Sequence, residues 1–169
     1  MSTTRDESVQ AGESDEPVES LDDFRTWARA WIGDNLARTA PNSNTSARLV
    51  RTVQSDEAEL EEVAHDRALQ RQLFDGGLAG ICFPKAYSGQ GLTPAHQRVL
   101  NEELSGYEYP TRFQAPTMSP CAAVLSDFGT EEQKRTHLPA ILRGEELWMQ
   151  FLSEPSGGSD VAGALTTAV

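Results

Sequence analysis

Near the carboxy end of the chain, eight consecutive residues hold the side chains best suited to binding a ligand. Residues 153 to 160 read SEPSGGSD and combine serine hydroxyls, two glycines, a proline and two carboxylates. Glycine has no Cβ, so backbone N–H groups can approach a ligand closely, and flanking hydroxyls add donors for phosphate or carbonyl oxygens. The segment has the chemistry of a loop that cradles a cofactor.

A second interpretation of the same segment is a polar surface turn, and residue types alone favour it. The segment is not a P-loop, because no Gly-Lys-Ser/Thr follows, and it does not match G-x-G-x-x-G. Glu154 and Asp160 are the carboxylates that could act as a general base, but a base must first have the right geometry. We therefore predict no catalytic residue in this chain.

Histidine and cysteine offer little further chemistry. His65, His96 and His137 each stand alone on helical stretches, where a surface or half-buried side chain is expected. Cys82 and Cys121 lie far apart without a C-x-x-C pair, which argues against zinc and against a disulfide framework. We expect both thiols to be buried and no metal to be bound.

The elements that would position the loop are predicted to be helices. Ser20 caps a first helix from Leu21, and Ser55 opens a second helix with an acidic first turn that ends at Gly76 and Gly77. The predicted apolar face of the second helix contains Leu60, Val63, Ala64 and Leu73.

Downstream, a Pro/Gly-rich loop over residues 80 to 92 precedes three further helix starts. Thr93-Pro94 and Ser119-Pro120 each offer an N-cap followed by proline, with Gly129 ending the second of these helices. Thr130 begins a capping box with Gln133, and that helix runs to about residue 143 before Gly144. Residues 147 to 152 then lose helical spacing and predict a buried strand.

Composition limits the class of protein. The net charge is −12, but residues 1 to 23 carry −7 of it, and residues 1–20 have the composition of a disordered acidic tail. The lack of a basic stripe argues against nucleic acid as a partner. Neither a membrane span nor a secretory signal is predicted, so a cytoplasmic location is the default.

Four motifs in order resemble the acyl-CoA dehydrogenase family. Residues 151 to 163, FLSEPSGGSDVAG, resemble its flavin-binding signature (Ser/Thr)-Glu-Pro-x-x-Gly-Ser-Asp. Residues 128 to 145 resemble the helix before that signature, residues 84 to 91 its Pro-x-x-x-Gly-Gly-x-Gly-Leu loop, and residues 24 to 36 its first helix. One departure is Ser156-Gly157-Gly158-Ser159, where many members have Gly-Ala-Gly-Ser.

The resemblance implies a mainly α fold, an amino-terminal helical bundle over residues 21–145 that ends in the first strand of a truncated β domain at 146–169. It implies FAD as the cofactor, with Leu152 and Ser153 along the flavin ring and Ser159 near the pyrophosphate or the CoA end of the substrate. Gln114, Thr117 and Met118 would line the acyl pocket. The implied cofactor-binding residues are Gln150, Phe151, Leu152, Ser153, Gly158 and Ser159, and the implied substrate-binding residues are Ser159 and Met118.

The implied reaction is the α,β-dehydrogenation of an acyl-CoA thioester, with hydride transfer to the flavin. In the family the base is a glutamate from a carboxy-terminal helical domain, so we expect this chain to be an inactive amino-terminal fragment on its own. An electron-transfer flavoprotein-like acceptor and a homo- or hetero-oligomer are the implied partners. Two alternatives stay open: an acyl-CoA oxidase or flavin monooxygenase relative, and a truncated helical interaction module without cofactor.

Overall fold

A computed structural model describes residues 20–39, 55–150, 153–154, 157–158 and 161–167. This part of the chain is mainly helical, as predicted, and contains no strand. The predicted acidic tail lies outside it except for Ser20. The α-helices are α1 (Leu21–Asn35), α2 (Asp56–Asp75), α3 (Pro94–Glu103), α4 (Thr111–Phe113), α5 (Ala123–Phe128) and α6 (Glu131–Leu142); a π-helical segment, Gln114–Ala122, joins α4 to α5, and short 3₁₀ turns lie at Lys85–Tyr87 and Val161–Gly163.

Helices α1 and α3 pack against each other over the first of two core clusters. Phe24, Ala28 and Ile32 recur along one face of α1 and are at most 1% exposed. His96 of α3 is buried too, with its ring edge against Phe24 and its Nδ1 2.8 Å from the Thr93 hydroxyl. The expectation that His96 is a surface or half-buried side chain is therefore wrong, because the capping position at the start of α3 faces the core.

An ion-pair cluster ties the same two helices together at their surface. The Glu103 carboxylate accepts hydrogen bonds from Arg25 at 2.8 Å and from Arg29 at 2.8 and 2.9 Å. Arg25 also donates to Glu102 at 2.7 Å. Because two guanidinium groups stabilise its charged form, the pKa of Glu103 falls from 4.5 to about 2.

The second core cluster forms where α6 meets the π-helical segment and α5. Phe74 near the end of α2 contacts both clusters, so the two halves of the bundle share one continuous interior. The buried members of the second cluster are Met118, Ala122, Leu125, Leu138, Ile141 and Leu142.

The fourth helical region begins earlier than the sequence predicted. The predicted start at Ser119-Pro120 is wrong: the helical path begins at Thr111, and Pro120 lies inside the π-helical segment. Pro116 and Pro120 supply no N–H, which interrupts the regular i→i+4 ladder, and a wider turn accommodates such interruptions. The predicted end at Gly129 is confirmed.

Capping chemistry defines the other helix ends as predicted. Ser20 and Ser55 accept from the backbone N–H groups of Asp23 and Ala58. The Thr130 hydroxyl accepts from the amide of Gln133, whose side chain accepts from the Thr130 amide. Gly144, at φ +75°, ends α6.

Residues 146 to 150 form neither helix nor strand. Leu147 and Met149 are 37% and 54% exposed, whereas Trp148 is half-buried and packs on the second cluster. Of the described residues 147 to 150 in the predicted buried strand, only Trp148 is partly buried. Residues 151 and 152, the rest of the predicted strand, lie outside those ranges.

Two further observations bear on function. Cys82 is exposed and Cys121 half-buried, so the prediction of two buried thiols is wrong; Ile81 takes the buried position beside Cys82. Within the described ranges, no helix combines the length and apolar character that a bilayer crossing requires.

Candidate functional site

The chain leaves the bundle for the serine- and glycine-rich loop at Trp148, and this residue is held from three sides. Its carbonyl accepts from the Thr117 hydroxyl at 2.9 Å, and its indole N–H donates to Glu146 at 2.7 Å. The His137 ring meets the indole edge-on, with 5.1 Å between ring centroids, and its Nδ1 lies 3.0 Å from the same Glu146 carboxylate. The segment that leads to the loop is therefore anchored to both α6 and the π-helical segment.

The end of α6 just before this point is held by α2. The fully buried Gln70 side chain donates to the Leu142 carbonyl at 2.7 Å, and Arg67 donates to the Gly144 carbonyl at 3.0 Å. Gln114 donates in turn to the Gln70 side-chain oxygen at 3.1 Å. These bonds satisfy carbonyls that the helix end leaves without an intrahelical partner.

Within the loop, Glu154 closes the chain on itself. Its backbone pairs with Gly157 through two hydrogen bonds of 3.0 and 3.1 Å, and its carboxylate accepts from the amides of Leu165 at 2.9 Å and Thr166 at 2.6 Å. The Thr166 hydroxyl donates to the same carboxylate. These bonds lower the pKa of Glu154, the Leu165 amide contributing most.

A carboxylate with a lowered pKa and three donors is a poor proton acceptor at neutral pH. In the structure the Glu154 carboxylate bonds the chain at residues 165 and 166; the prediction that it is not a catalytic base stays a prediction. Asp160, the other carboxylate of the segment, lies outside the described residues.

The predicted cofactor contacts that the structure describes are open to solvent. Gln150, Ser153 and Gly158 are exposed, and a Cβ placed on Gly158 would meet nothing within 4 Å. Exposed backbone at a glycine allows a ligand to approach closely. Phe151, Leu152 and Ser159 lie outside the described residues, so their predicted contacts stay predictions.

The three predicted pocket residues all lie in or at the π-helical segment but point to different neighbours. Met118 is 8% exposed and packs in the second core cluster. Thr117 is fully buried against the Trp148 carbonyl, and Gln114 reaches the side chain of Gln70. Thr117 thus bonds the chain just before the loop. The predicted contacts of Gln114, Thr117 and Met118 with an acyl chain stay predictions.

Sequence reasoning missed two residues that hold the chain just before the loop. Glu146 bridges His137 and Trp148, and Gln70 anchors the end of α6. A glutamate two residues before a tryptophan carries no distinctive pattern. Gln70 shares a helix turn with buried leucines, and a polar side chain on a buried face is the signal that could have revealed it.

Within the same ranges, no cluster of three or more His, Cys, Asp or Glu side chains is arranged to hold a metal ion. The exposed donors described at the signature loop include the side chains of Gln150 and Ser153.

Comparison with known proteins assigns the helical domain. Residues 42–145 match the family model of the acyl-CoA dehydrogenase N-terminal domain. Among curated proteins, acyl-CoA dehydrogenase IpdE1 of Mycobacterium tuberculosis is 31% identical over 89% of this chain and 37% of its own length. FadE34 of the same species, also an acyl-CoA dehydrogenase, is 33% identical over 83% of this chain and 18% of its own length.

Among solved structures, a variant of the Tcur3481-Tcur3483 steroid ACAD superimposes with a TM-score of 0.57 and 28% identity. The match covers 85% of this chain and 34% of that chain. This chain spans little more than a third of the length of the IpdE1 proteins that it matches. On the matched helical domain and these relatives together, the chain belongs to the acyl-CoA dehydrogenase family and contains that family's N-terminal domain.

Proposed function

We propose that this chain serves an FAD-dependent dehydrogenation of acyl-CoA thioesters and supplies part of the flavin site through residues 150 to 159. One observation carries the proposal: directly after a domain that matches the family, a loop with the flavin signature is closed by Glu154 and leaves Ser153 and Gly158 exposed. The bonds from the Glu154 carboxylate to residues 165 and 166 hold the chain on either side of the exposed segment together.

In this proposal the residues of the chain bind and orient. Ser153 and the backbone N–H groups around Gly158 donate hydrogen bonds to the polar edge of the isoalloxazine, where such donors stabilise negative charge. Ser159 contacts the pyrophosphate or the CoA end of the substrate, and Met118 contributes to the acyl side. A flavin held by these residues would supply the hydride-accepting chemistry of the reaction.

The proposal assigns no proton transfer to the described carboxylates. Glu154 is occupied by Leu165 and Thr166, and Glu103 by two arginines. We therefore expect the 169-residue chain alone to show neither acyl-CoA turnover nor a visible flavin band after purification. The assay should include straight-chain and steroid-derived acyl-CoA thioesters, because the matched structure is described as a steroid ACAD.

The proposed surroundings of the chain follow from its family. Acyl-CoA is the substrate, an electron-transfer flavoprotein-like protein takes the electrons, and further helices or a neighbouring subunit complete the cofactor site in an oligomer. We propose the cytoplasm as the location.

Photoaffinity labelling tests the flavin contact even when binding is weak. Azido-FAD is irradiated with the chain, and the labelled peptides are mapped by mass spectrometry with and without excess FAD. The proposal predicts competed label within residues 150 to 159. It also predicts reduced label in Ser153→Ala and unchanged label in Ser105→Ala, a matched loss of an exposed serine hydroxyl after α3. Label that FAD does not displace, or competed label confined to other residues, would refute it.

A further inference from the structure

Two residues from different parts of the fold anchor Trp148. Neither of their bonds belongs to the hydrogen bonding within a helix. Thr117 belongs to the π-helical segment, and Glu146 lies after the end of α6. Both reach the same tryptophan, one at its carbonyl and the other at its indole N–H. Trp148 is therefore fixed in both backbone position and ring orientation.

The Thr117 hydroxyl bonds a carbonyl outside its own helical segment. In a regular α-helix a threonine hydroxyl commonly bonds the carbonyl of the preceding turn. Thr117, which is fully buried, donates instead to a carbonyl 31 residues along the chain. A buried hydroxyl needs a partner, so the positions of the π-helical segment and Trp148 depend on each other.

The contacts of Glu146 give the second half of the anchor. Its carboxylate oxygen accepts from the indole N–H at 2.7 Å and lies 3.0 Å from His137 Nδ1, and the His137 ring packs on the indole. Leu147 and Met149 on either side of Trp148 are exposed. Of the residues from 147 to 149, Trp148 is the one that packs on the second core cluster.

We infer that Thr117 and Glu146 are positioning residues: by fixing Trp148 they set the direction in which the chain enters the flavin-signature loop. The inference rests on the proposed function for the meaning of that direction, since Ser153 follows Trp148 by only five residues. Loss of either bond is expected to increase the local motion of residues 147 to 154 without unfolding the bundle.

Hydrogen–deuterium exchange of the full chain tests the anchor without any ligand. In Thr117→Val, which keeps the shape and removes the hydroxyl, peptides covering residues 147 to 154 should exchange about fivefold faster, as the loss of one buried hydrogen bond predicts. Thr117→Ser should restore the slow exchange. The control Glu103→Gln weakens the α1–α3 contact and should leave these peptides unchanged. Equal exchange in wild type and Thr117→Val, or no rescue by serine, would overturn the anchor.

Azido-FAD labelling of the variants separates failure of the inference from failure of the proposed function. The competed azido-FAD label in residues 150 to 159 should fall about fivefold in Thr117→Val and in Trp148→Phe, and return in Thr117→Ser. If the exchange rates change as expected but wild type takes no competed label, the flavin proposal and the positioning role fail while the anchor stands. If wild type is labelled and the loosened variants are labelled equally, the positioning role alone is refuted.

Discussion

Replacing Glu103 by glutamine should weaken the bundle in a pH-dependent way. The carboxylate is 10% exposed and bonds both Arg25 and Arg29. Its pKa is about 2 in the folded chain against 4.5 for an unperturbed group. That difference corresponds to an upper limit of about 3.4 kcal/mol. Since the Arg29 side chain is 68% exposed, solvent screening reduces the expected contribution to about 1–2 kcal/mol.

The sign of the pH effect follows from the lowered pKa. The stabilisation is fully present above pH 4.5 and is lost as the pH falls toward about 2, where the folded-state carboxylate takes up a proton. Urea denaturation of wild type and Glu103→Gln should therefore differ most near neutral pH. The difference should shrink by at least roughly three-quarters at about pH 2.5.

A neighbouring glutamate provides the matched control for this prediction. Glu102 bonds Arg25 as well, but its side chain is 61% exposed, so Glu102→Gln should cost less than about 1 kcal/mol. If Glu103→Gln lowers the free energy of unfolding equally at both pH values, or no more than Glu102→Gln does, the assigned role of the carboxylate is refuted.

Three further substitutions test local features of the fold by urea denaturation at neutral pH. Ser88→Gly should raise the free energy of unfolding by about 0.5–1 kcal/mol, because Ser88 holds φ at +67°, where glycine is unstrained; a loss of stability would contradict this. Gly80→Ala should cost about 2–4 kcal/mol, since φ is +65° and the new Cβ would lie 2.8 Å from the buried Leu142 side chain; a neutral result would show that the turn adjusts freely. Thr130→Ala should cost about 1 kcal/mol through the lost cap of α6, and an unchanged midpoint would argue against the capping box.

The sequence predicts most helix ends correctly because capping is local chemistry. Ser20, Ser55 and Thr130 each lie within a few residues of the amides they bond. The exception is Ser119-Pro120, where the same signal occurs inside a longer helical path. The widened helix around Pro120 packs against α6 through Met118 and Ala122, and the local Ser-Pro signal contains no information about that contact.

Burial is harder to predict because it depends on where the helices meet. The spacing predicts Leu60 on the apolar face of α2, but Leu60 is 68% exposed, whereas Gln70 on the same helix is fully buried. Gln70 is buried because α6 ends beside it with an unpaired carbonyl at Leu142. Local periodicity contains no information about that contact.

In the candidate site, too, the sequence indicates the motif, whereas the contacts that hold it depend on residues farther along the chain. The residue types of the segment from 153 to 160 alone favour a surface turn, and only the ordered motifs indicate a flavin-binding loop. The bonds that fix the loop join Glu154 to residues 165 and 166 and Thr117 to Trp148. These partners are ordinary residue types at separations without a pattern, so only the folded chain identifies them.

Amide chemical-shift mapping with FAD tests the central claim most directly. FAD is titrated to millimolar concentration into the ¹⁵N-labelled chain, where even weak contacts shift the resonances of the residues involved. The account predicts the largest shifts at Gln150, Ser153 and Gly158, with α1 unchanged. Unshifted resonances throughout residues 150 to 159, or shifts confined to α1 and α3, would contradict it.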